Sequence, residues 1–310
     1  MKILFMGTPD FAAGILSAIC ERSGHEVVAV VTQPDRPKGR SGEVVASPVK
    51  EYAIKRGIDV LQPVKIKAGE EVERLRAIDA DIYVVAAFGQ ILSKEILDIP
   101  KKGCINVHAS LLPEYRGAAP IQWAIADGKT TTGVTIQQMN EGVDTGDIIS
   151  SLTVDIADDE TGESLFDKLM LAGEELILTT LSAIEEGRAT YTPQDEERAT
   201  YAKILKKEMG LIDWSGSATK IERLIRAFTP WPGGYTYLDG KMLKIKKCGV
   251  ASGSYESDPG KIVAVSKDDI VISCGEGALS LTRIQAEGKK EMSVHDFLLG
   301  NALTVGGKLG

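Results

Sequence analysis

The sequence predicts a doubly wound, mainly parallel α/β sheet followed by a small β-barrel of the OB type. Two observations lead to this prediction. Short apolar runs alternate with helix-like stretches over residues 1–150, as in chains that wind helices around a parallel sheet. Five short strand-like segments then follow one another within residues 235–285, which is typical of a small barrel.

The strands of the first domain are recognised as runs of Val, Ile and Phe with little alternation between apolar and polar residues. Such runs are expected where both faces of a strand are covered. The runs are Lys2–Met6, Val27–Thr32, Ile82–Phe88 and Gly103–His108, with later strands at Thr131–Met139 and Asp147–Asp155 and a long amphipathic helix over Glu163–Glu186. Two helices are predicted to begin at Thr8-Pro9 and Ser47-Pro48, because a capping hydroxyl followed by proline favours a helix start.

A change in composition divides the chain into a first domain over residues 1–186, a linker over 187–207 and a second domain over 208–310. The linker is polar and contains Pro193 and four consecutive charged residues at 195–198. The second domain is predicted to contain one helix and five strands, and a sandwich fragment is the alternative to a barrel. These elements are Ala218–Phe228 and then Tyr235–Leu238, Met242–Cys248, Lys261–Val265, Ile270–Cys274 and Ala278–Gln285.

Composition excludes several classes of protein. The chain has 310 residues, of which 43% are hydrophobic and 26% charged, as in folded globular proteins. Its longest apolar run, Ile82–Phe88, is far shorter than the roughly 18 residues of a membrane helix. No signal peptide, paired cysteine motif or zinc-spaced histidine is recognised, so we expect a cytoplasmic protein without a metal.

The net charge of −8 is unevenly distributed along the chain. Residues 207–310 contain 14 Lys and Arg against 12 Asp and Glu, so the C-terminal third is mildly basic beside an acidic remainder. This asymmetry is compatible with a nucleic-acid partner for the second domain, and equally with ordinary variation between domains.

Three polar residues form the candidate catalytic group. Asn106 and His108 lie two positions apart in a predicted strand, so their side chains point to the same side, at the carboxyl end where open α/β sheets bind ligands. Asp144 lies in a glycine-flanked loop from which it can reach the histidine. An amide beside an imidazole can stabilise an oxyanion and move a proton, although the same residues can serve only to satisfy loop backbone groups.

A series of short motifs runs through residues 1–235 in a fixed order. They are Gly7-Thr8-Pro9-Asp10-Phe11-Ala12, Thr32-Gln33-Pro34-Asp35-Arg36-Pro37-x-Gly39-Arg40, Ser47-Pro48-Val49-Lys50, Asn106-x-His108, Ser110-Leu111-Leu112-Pro113, Arg116-Gly117-Ala118-Ala119-Pro120-Ile121-Gln122, Gly142-x-Asp144-Thr145-Gly146-Asp147, Tyr201-Ala202-Lys203-Ile204, Asp213-Trp214, Arg226-Ala227-Phe228 and Pro230-Trp231-Pro232. Together these motifs resemble the 10-formyltetrahydrofolate-dependent formyltransferases, and within them the bacterial enzymes that formylate methionyl-tRNA.

The resemblance implies a Rossmann-like catalytic domain and a reaction. The formyl group of 10-formyltetrahydrofolate would pass to the α-amino group of methionine on initiator tRNA, with no metal and no covalent enzyme intermediate. Asn106 and His108 would stabilise the oxyanion, while Asp144 would orient His108 and assist proton transfer.

The resemblance also assigns binding residues. Ser110, Leu111, Leu112 and Pro113 would line the folate site, and Phe88 and Gly89 could border the pterin, although a core phenylalanine beside a turn glycine explains that pair as well. The candidates for tRNA contact are Arg36, Lys38 and Arg40 in the first long loop, Lys203, Lys206 and Lys207 in the linker, and Lys241, Lys244, Lys246 and Lys247 in the barrel. Each of these cations can equally belong to a solvated charged face.

Other functions remain open at this level. Formyltransferases for a nucleotide-linked amino sugar or glycinamide ribonucleotide share the same three catalytic residues. A hydrolase of formyl-folate and a non-catalytic folate or RNA binding module are further alternatives. The loop and the basic second domain favour tRNA, and we expect a monomer.

The first long loop departs from the family pattern and gives a first prediction. Residues 41–45 replace the lysines that commonly follow the Gly39-Arg40 pair, which leaves Arg40 as the best-placed cation of this loop. Arg40→Ala is expected to raise the KM for tRNA more than the KM for the folate, because a lost phosphate contact weakens only the nucleic-acid substrate. Steady-state kinetics with each substrate varied in turn test this, and equal effects on both KM values contradict it.

Overall fold

The computed structural model describes residues 1–38 and 42–310, without the side chain of Lys38. The chain forms two compact units, each made of several segments. The first comprises Met1–Pro120, Thr131–Asp155 and Phe166–Ala202, and the second comprises Ile121–Thr130, Ile156–Leu165 and Lys203–Gly310. The domain limits at residues 186 and 207 stay a prediction.

The strands and helices are numbered in chain order. The strands are β1 (Lys2–Gly7), β2 (Glu26–Val31), β3 (Arg36–Lys38), β4 (Glu43–Val45), β5 (Val60–Leu61), β6 (Ile82–Ala86), β7 (Cys104–His108), β8 (Arg116–Gly117), β9 (Thr131–Gln138), β10 (Ile148–Asp155), β11 (Tyr201–Ala202), β12 (Gly234–Leu238), β13 (Lys241–Val250), β14 (Ile262–Val265), β15 (Ile270–Ser273), β16 (Ala278–Ala286) and β17 (Met292–Ser293). The helices are α1 (Asp10–Arg22), α2 (Pro48–Arg56), α3 (Gly69–Arg76), α4 (Lys94–Leu97), α5 (Pro120–Ala126), α6 (Gly162–Glu185), α7 (Ala218–Ala227) and α8 (Val294–Leu298). Within the described ranges, none of these helices has the length and apolar content to cross a bilayer.

Seven strands of the first unit form one sheet in the order β10-β9-β7-β6-β1-β2-β5. The neighbours from β7 to β5 pair in parallel, whereas β9 runs antiparallel to both β7 and β10. The chain winds outward from β1 in one direction through β2 and β5, and then in the other through β6 and β7. This order confirms the predicted doubly wound, mainly parallel sheet.

The central strands are buried, as their apolar sequences predict. Every residue of β6 is buried, and its Tyr83 packs with Leu4 and Met6 of β1 in one hydrophobic cluster. Each predicted strand is observed with its ends displaced by two residues at most. The sequence does not predict the short strands β3, β4, β5, β8, β11 and β17, because two or three residues are too few for a recognisable apolar pattern.

The two predicted helix starts have different outcomes. Ser47 caps α2, where its hydroxyl accepts the Lys50 N–H at 3.1 Å and Pro48 is the first helical residue. The prediction for Thr8 is wrong, because Pro9 itself occupies the N-cap of α1 and no side chain caps that helix. The Thr8 hydroxyl instead donates to the Phe88 carbonyl oxygen at 3.2 Å, a partner contributed by the segment after β6.

The second unit contains an antiparallel sheet in the order β12-β13-β16-β15-β14, with β17 paired to β16. The last residues of the chain connect its two edges. Lys308 forms a bridge with Lys261 beside β14, and the Gly310 N–H donates to the Tyr237 carbonyl oxygen of β12 at 3.0 Å. Buried residues including Trp214, from before α7, fill the interior. The predicted small β domain at the C-terminus is confirmed, and its sheet is antiparallel.

The caps of α2 and α4 provide a matched test of how the first unit is stabilised. Ser47→Ala removes the bond to Lys50 and a 2.8 Å contact with the Thr32 hydroxyl, so we expect it to lower the free energy of unfolding by about 1 kcal/mol. Ser93, the N-cap of α4, makes no side-chain cap bond, so Ser93→Ala is the control and should change much less. Denaturant unfolding measures both variants, and equal losses contradict this account.

Candidate active site

Asn106 and His108 of β7 lie opposite polar residues of β9. In the antiparallel register Asn106 pairs with Gln137 and His108 pairs with Thr135. Because alternate residues of a strand point to one side, these four side chains share one face of the sheet. His108, Thr135 and Gln137 are buried, so this face carries a polar cluster inside the first unit.

Asp144 joins this cluster from the loop between β9 and β10, residues 139–147, which we term the Asp144 loop. Its Oδ1 accepts hydrogen bonds from Gln137 Nε2 at 2.9 Å and Asn106 Nδ2 at 3.3 Å. Its Oδ2 accepts the backbone N–H of Gly117 at 2.8 Å and lies 3.6 Å from His108 Nδ1. The structure therefore brings the three predicted catalytic residues together around one carboxylate that is 13% exposed.

The contacts of His108 assign its two ring nitrogens. Nε2 lies 3.0 Å from the Tyr115 carbonyl oxygen, which can only accept a hydrogen bond, so Nε2 carries a proton. Nδ1 faces the Asp144 carboxylate and is the nitrogen at which a proton can be gained or lost. His108 is thus arranged to act as a cation or proton donor at one defined atom.

Two residues that position His108 and the carboxylate have unusual backbone angles. Tyr115, which provides the carbonyl for His108, has φ +58°, and Asp144 has φ +54°. Positive φ is uncommon for residues other than glycine and costs about 1–2 kcal/mol, so surrounding contacts must hold these conformations. In the same loop a Cβ at Gly146 would collide with the Gln138 carbonyl oxygen, which explains the need for glycine there.

The segment predicted to line the folate site follows His108 directly and is tightly held. The Thr135 hydroxyl donates to the Ser110 carbonyl oxygen at 2.7 Å and accepts the Leu112 N–H at 3.1 Å. Ser110 Oγ donates to the Glu114 carbonyl oxygen at 2.6 Å. Leu112 and Pro113 are buried and Leu111 is half-buried. The loop is rigid, and its folate role stays a prediction.

Phe88 and Gly89 lie at the end of β6. The Phe88 ring is 2% exposed and packs in the hydrophobic core. Gly89 is exposed and has φ +84°. Any contact of this pair with a pterin would therefore come from the backbone and from Gly89. Their role in binding stays a prediction.

The predicted tRNA contacts are distributed over both units. Arg36 is exposed in the first unit and its Nη2 donates to Gln33 Oε1 at 3.3 Å. Arg40 and the Lys38 side chain lie outside the described residues. Of the predicted lysines in the second unit, Lys246 is half-buried and the other six are exposed: Lys203, Lys206, Lys207, Lys241, Lys244 and Lys247. The assignment of these cations to tRNA stays a prediction.

The first long loop is anchored at its base by Asp35. This carboxylate accepts hydrogen bonds from Lys50 Nζ at 2.5 Å and Gln62 Nε2 at 2.7 Å. The Lys50 ammonium, and after it the Gln62 amide, lower the pKa of the Asp35 carboxyl. Asp35 therefore remains charged at neutral pH and fixes the point where the loop leaves the sheet.

Sequence reasoning missed three groups that bind Asp144: the side chains of Gln137 and Gln194 and the backbone N–H of Gly117. The pairing of β7 with β9 would have indicated Gln137, once the register was known. No local pattern indicates Gln194, which is 50 residues from Asp144. In the part of the chain that the structure describes, no three His, Cys, Asp or Glu side chains cluster as metal ligands.

Comparison with known proteins identifies the class to which this fold and site belong. Residues 1–181 match the family model Formyl transferase, and residues 204–302 match Formyl transferase, C-terminal domain. The chain belongs to the formyl transferase family.

Several relatives within this family have a more specific name. A methionyl-tRNA formyltransferase of Agathobacter rectalis is 55% identical over 97% of this chain and 96% of its own. A methionyl-tRNA formyltransferase of Geobacter metallireducens is 51% identical over 100% of this chain and 99% of its own. An N-formyltransferase structure from Helicobacter canadensis, in complex with folinic acid and dTDP-3-aminofucose, is 19% identical with a TM-score of 0.68, over 92% of this chain and 99% of that one. This last similarity shows the fold alone.

Proposed function

We propose that the protein transfers the formyl group of 10-formyltetrahydrofolate to the α-amino group of methionine on initiator methionyl-tRNA. The product, N-formylmethionyl-tRNA, serves translation initiation in the cytoplasm. The observation that carries the proposal is the cluster of Asn106, His108 and Asp144 in a chain 55% identical to a protein named methionyl-tRNA formyltransferase.

The reaction needs a group that stabilises negative charge on the formyl oxygen. When the neutral amine attacks, a C–N bond forms and the carbonyl electron pair moves to oxygen. Asn106 donates one amide N–H to Asp144 and has a second to offer to this oxyanion. His108 adds positive charge at the same place when its Nδ1, which faces Asp144, also carries a proton. Fixed donors of this kind are among the largest contributions to catalysis.

The reaction must also move a proton. The attacking nitrogen becomes cationic and has to lose a proton, while N10 of the folate gains one as its bond to the formyl carbon breaks. Asp144 is the adjacent base, and it can take the amine proton through a water molecule. His108 then donates a proton from Nδ1 towards N10 and regains one from Asp144, which its Nδ1 faces, so one proton leaves the amine and one reaches the folate. No atom of the protein has to bond covalently to the substrate.

The folate donor is supported by the family and by the site. The Helicobacter canadensis N-formyltransferase was solved with folinic acid, a formylated folate. In this chain Ser110 to Pro113 form the rigid segment next to His108, where Leu111 is the half-buried apolar side chain. We assign this segment to the folate site.

The alternative acceptor, a nucleotide-linked amino sugar, is not favoured. The N-formyltransferase solved with dTDP-3-aminofucose shares the fold at 19% identity, whereas the relatives above with 55% and 51% identity are named for methionyl-tRNA.

A direct assay tests the proposed function. Purified protein is incubated with 10-formyltetrahydrofolate and either methionyl-initiator-tRNA or methionyl-elongator-tRNA. We expect formylmethionine on the initiator tRNA only. Folate consumed without formylated tRNA would move the acceptor to a small amine or water, and no consumption would refute an enzymatic role.

Asn106→Ala tests the oxyanion assignment. Because one oxyanion donor is removed, kcat is expected to fall by roughly 10²–10³-fold. Asn301→Ala is a control that also removes an asparagine bond, from Nδ2 to the Phe297 carbonyl oxygen at 2.8 Å in the second unit, and should retain activity. Circular dichroism checks that both variants fold. Normal turnover by a folded Asn106→Ala protein would refute the assignment.

A further inference from the structure

Gln194 connects the Asp144 loop to a buried arginine. Its Nε2 donates to the carbonyl oxygens of Asp144 at 2.9 Å and Gly146 at 2.7 Å. Its Oε1 accepts from Arg116 Nε at 3.0 Å and Nη2 at 2.8 Å. An amide group has two N–H donors and an oxygen with two lone pairs. Every hydrogen-bonding position of the Gln194 amide is therefore used between these two elements.

Arg116 is a firm support for this amide. Its side chain is 1% exposed, and its Nη1 and Nη2 bind the two Glu196 oxygens at 2.8 and 2.7 Å. The Glu196 carboxylate raises the pKa of Arg116, and Arg116 lowers the pKa of Glu196, so both groups stay charged at neutral pH. A planar guanidinium held in this bidentate way has little freedom to rotate. The acceptor side of Gln194 is thus fixed.

The Nε2 group of Gln194 binds a part of the Asp144 loop whose backbone conformation is unfavourable by itself. Asp144 has a positive φ, and the two carbonyl oxygens that Gln194 binds lie on either side of Thr145. The same loop is also bound through its carboxylate, which accepts the N–H of Gly117, the neighbour of Arg116. Gln194 therefore holds the backbone of Asp144, and the Gly117 N–H of β8 holds its carboxylate. Arg116 contributes to both contacts, because it binds Gln194 and precedes Gly117 in β8.

We infer that Gln194 is a positioning residue for the reaction: it holds the Asp144 loop so that the Asp144 carboxylate faces Asn106 and His108. The kinetic consequence of this inference rests on the proposed function. Gln194 does not lie among the reacting groups and acts through Asp144. A displaced acid would still allow both substrates to bind but would slow the chemical step.

Two substitutions of Gln194 distinguish the positioning of the Asp144 loop from simple support of Arg116. Gln194→Glu keeps an oxygen that accepts from Arg116 but places a second oxygen against the Asp144 and Gly146 carbonyl oxygens, where no bond can form. Gln194→Met keeps the length of the side chain and loses both sets of bonds. We expect kcat to fall by about 10- to 100-fold in both variants, because misplacing a catalytic group slows the chemical step. Both KM values should stay within about twofold of the unsubstituted protein, because binding is retained.

A control and two outcomes decide the kinetic test. Gln285→Met removes an amide bond to the Lys289 carbonyl oxygen, 2.9 Å long, in the second unit and should leave kcat unchanged. If Gln194→Glu retains kcat within about twofold, donation to the loop carbonyls is not needed and the inference is wrong. A rise in KM with unchanged kcat would equally overturn it.

Amide hydrogen exchange, followed by NMR on the full chain without substrates, tests the positioning independently of activity. In both Gln194 variants the Gly117 amide should exchange faster, because its acceptor is Asp144 Oδ2. The neighbouring Arg116 and Ala118 amides, which donate to the Thr200 and Ala202 carbonyl oxygens at 2.9 and 3.0 Å, should keep their protection.

The pattern of exchange gives an unambiguous result. Unchanged exchange at Gly117 overturns the inference, and so does loss of protection at all three amides, which would show that Gln194 only supports the fold of β8 and β11. If Gly117 alone exchanges faster while the unsubstituted protein fails to transfer a formyl group, the positioning of Asp144 stands and the proposed function falls.

Discussion

A carboxylate that is largely removed from water must be met by hydrogen-bond donors, and for Asp144 these donors come from three separate strands. Asn106 belongs to β7, Gln137 to β9, and the backbone N–H of Gly117 to β8. Each donor is fixed by its own strand pairing, so the carboxylate can bind all three only when the strands have their native positions. The same requirement keeps Asn106 and the His108 ring in contact with one acid. The pairing of the strands therefore determines where the donors to Asp144 lie, and with them the geometry of the candidate site.

The arrangement also separates two tasks that share the same residues. The Tyr115 carbonyl fixes one nitrogen of His108, which leaves the other nitrogen directed at the acid. Asn106 likewise uses one N–H to hold Asp144 and has another available. Part of each polar group maintains the cluster, and in the proposed function the other part serves the substrate. Formyl transfer needs little more, because the donor carbon is already activated by its folate nitrogen and the acceptor is an amine.

The features that the sequence predicted correctly are those that depend on a local pattern of residues. Strands such as β1, β6 and β7 are buried on both faces, so their apolar runs identify them. Asn106 and His108 could be placed on one side from their spacing. Gln137 could not be found in this way, because its position depends on the register between β7 and β9. Thr8 shows a different limit: its hydroxyl had the right neighbours for a helix cap, but a carbonyl oxygen from a distant segment is its partner. The part of the site that escaped prediction is the part built from contacts distant in sequence.

Because Gln194 follows Asp144 by 50 residues, it is synthesised later than the residues it supports. A ribosome releases the chain from its N-terminus onward, so Asn106, His108 and Asp144 are present before Gln194 and β11 have been made. At that stage the carbonyl oxygens on either side of Thr145 lack the amide that binds them, and β8 lacks its partner strand. The nascent chain therefore has the chemical groups before it has their geometry, and the site matures only as its last supporting segment arrives.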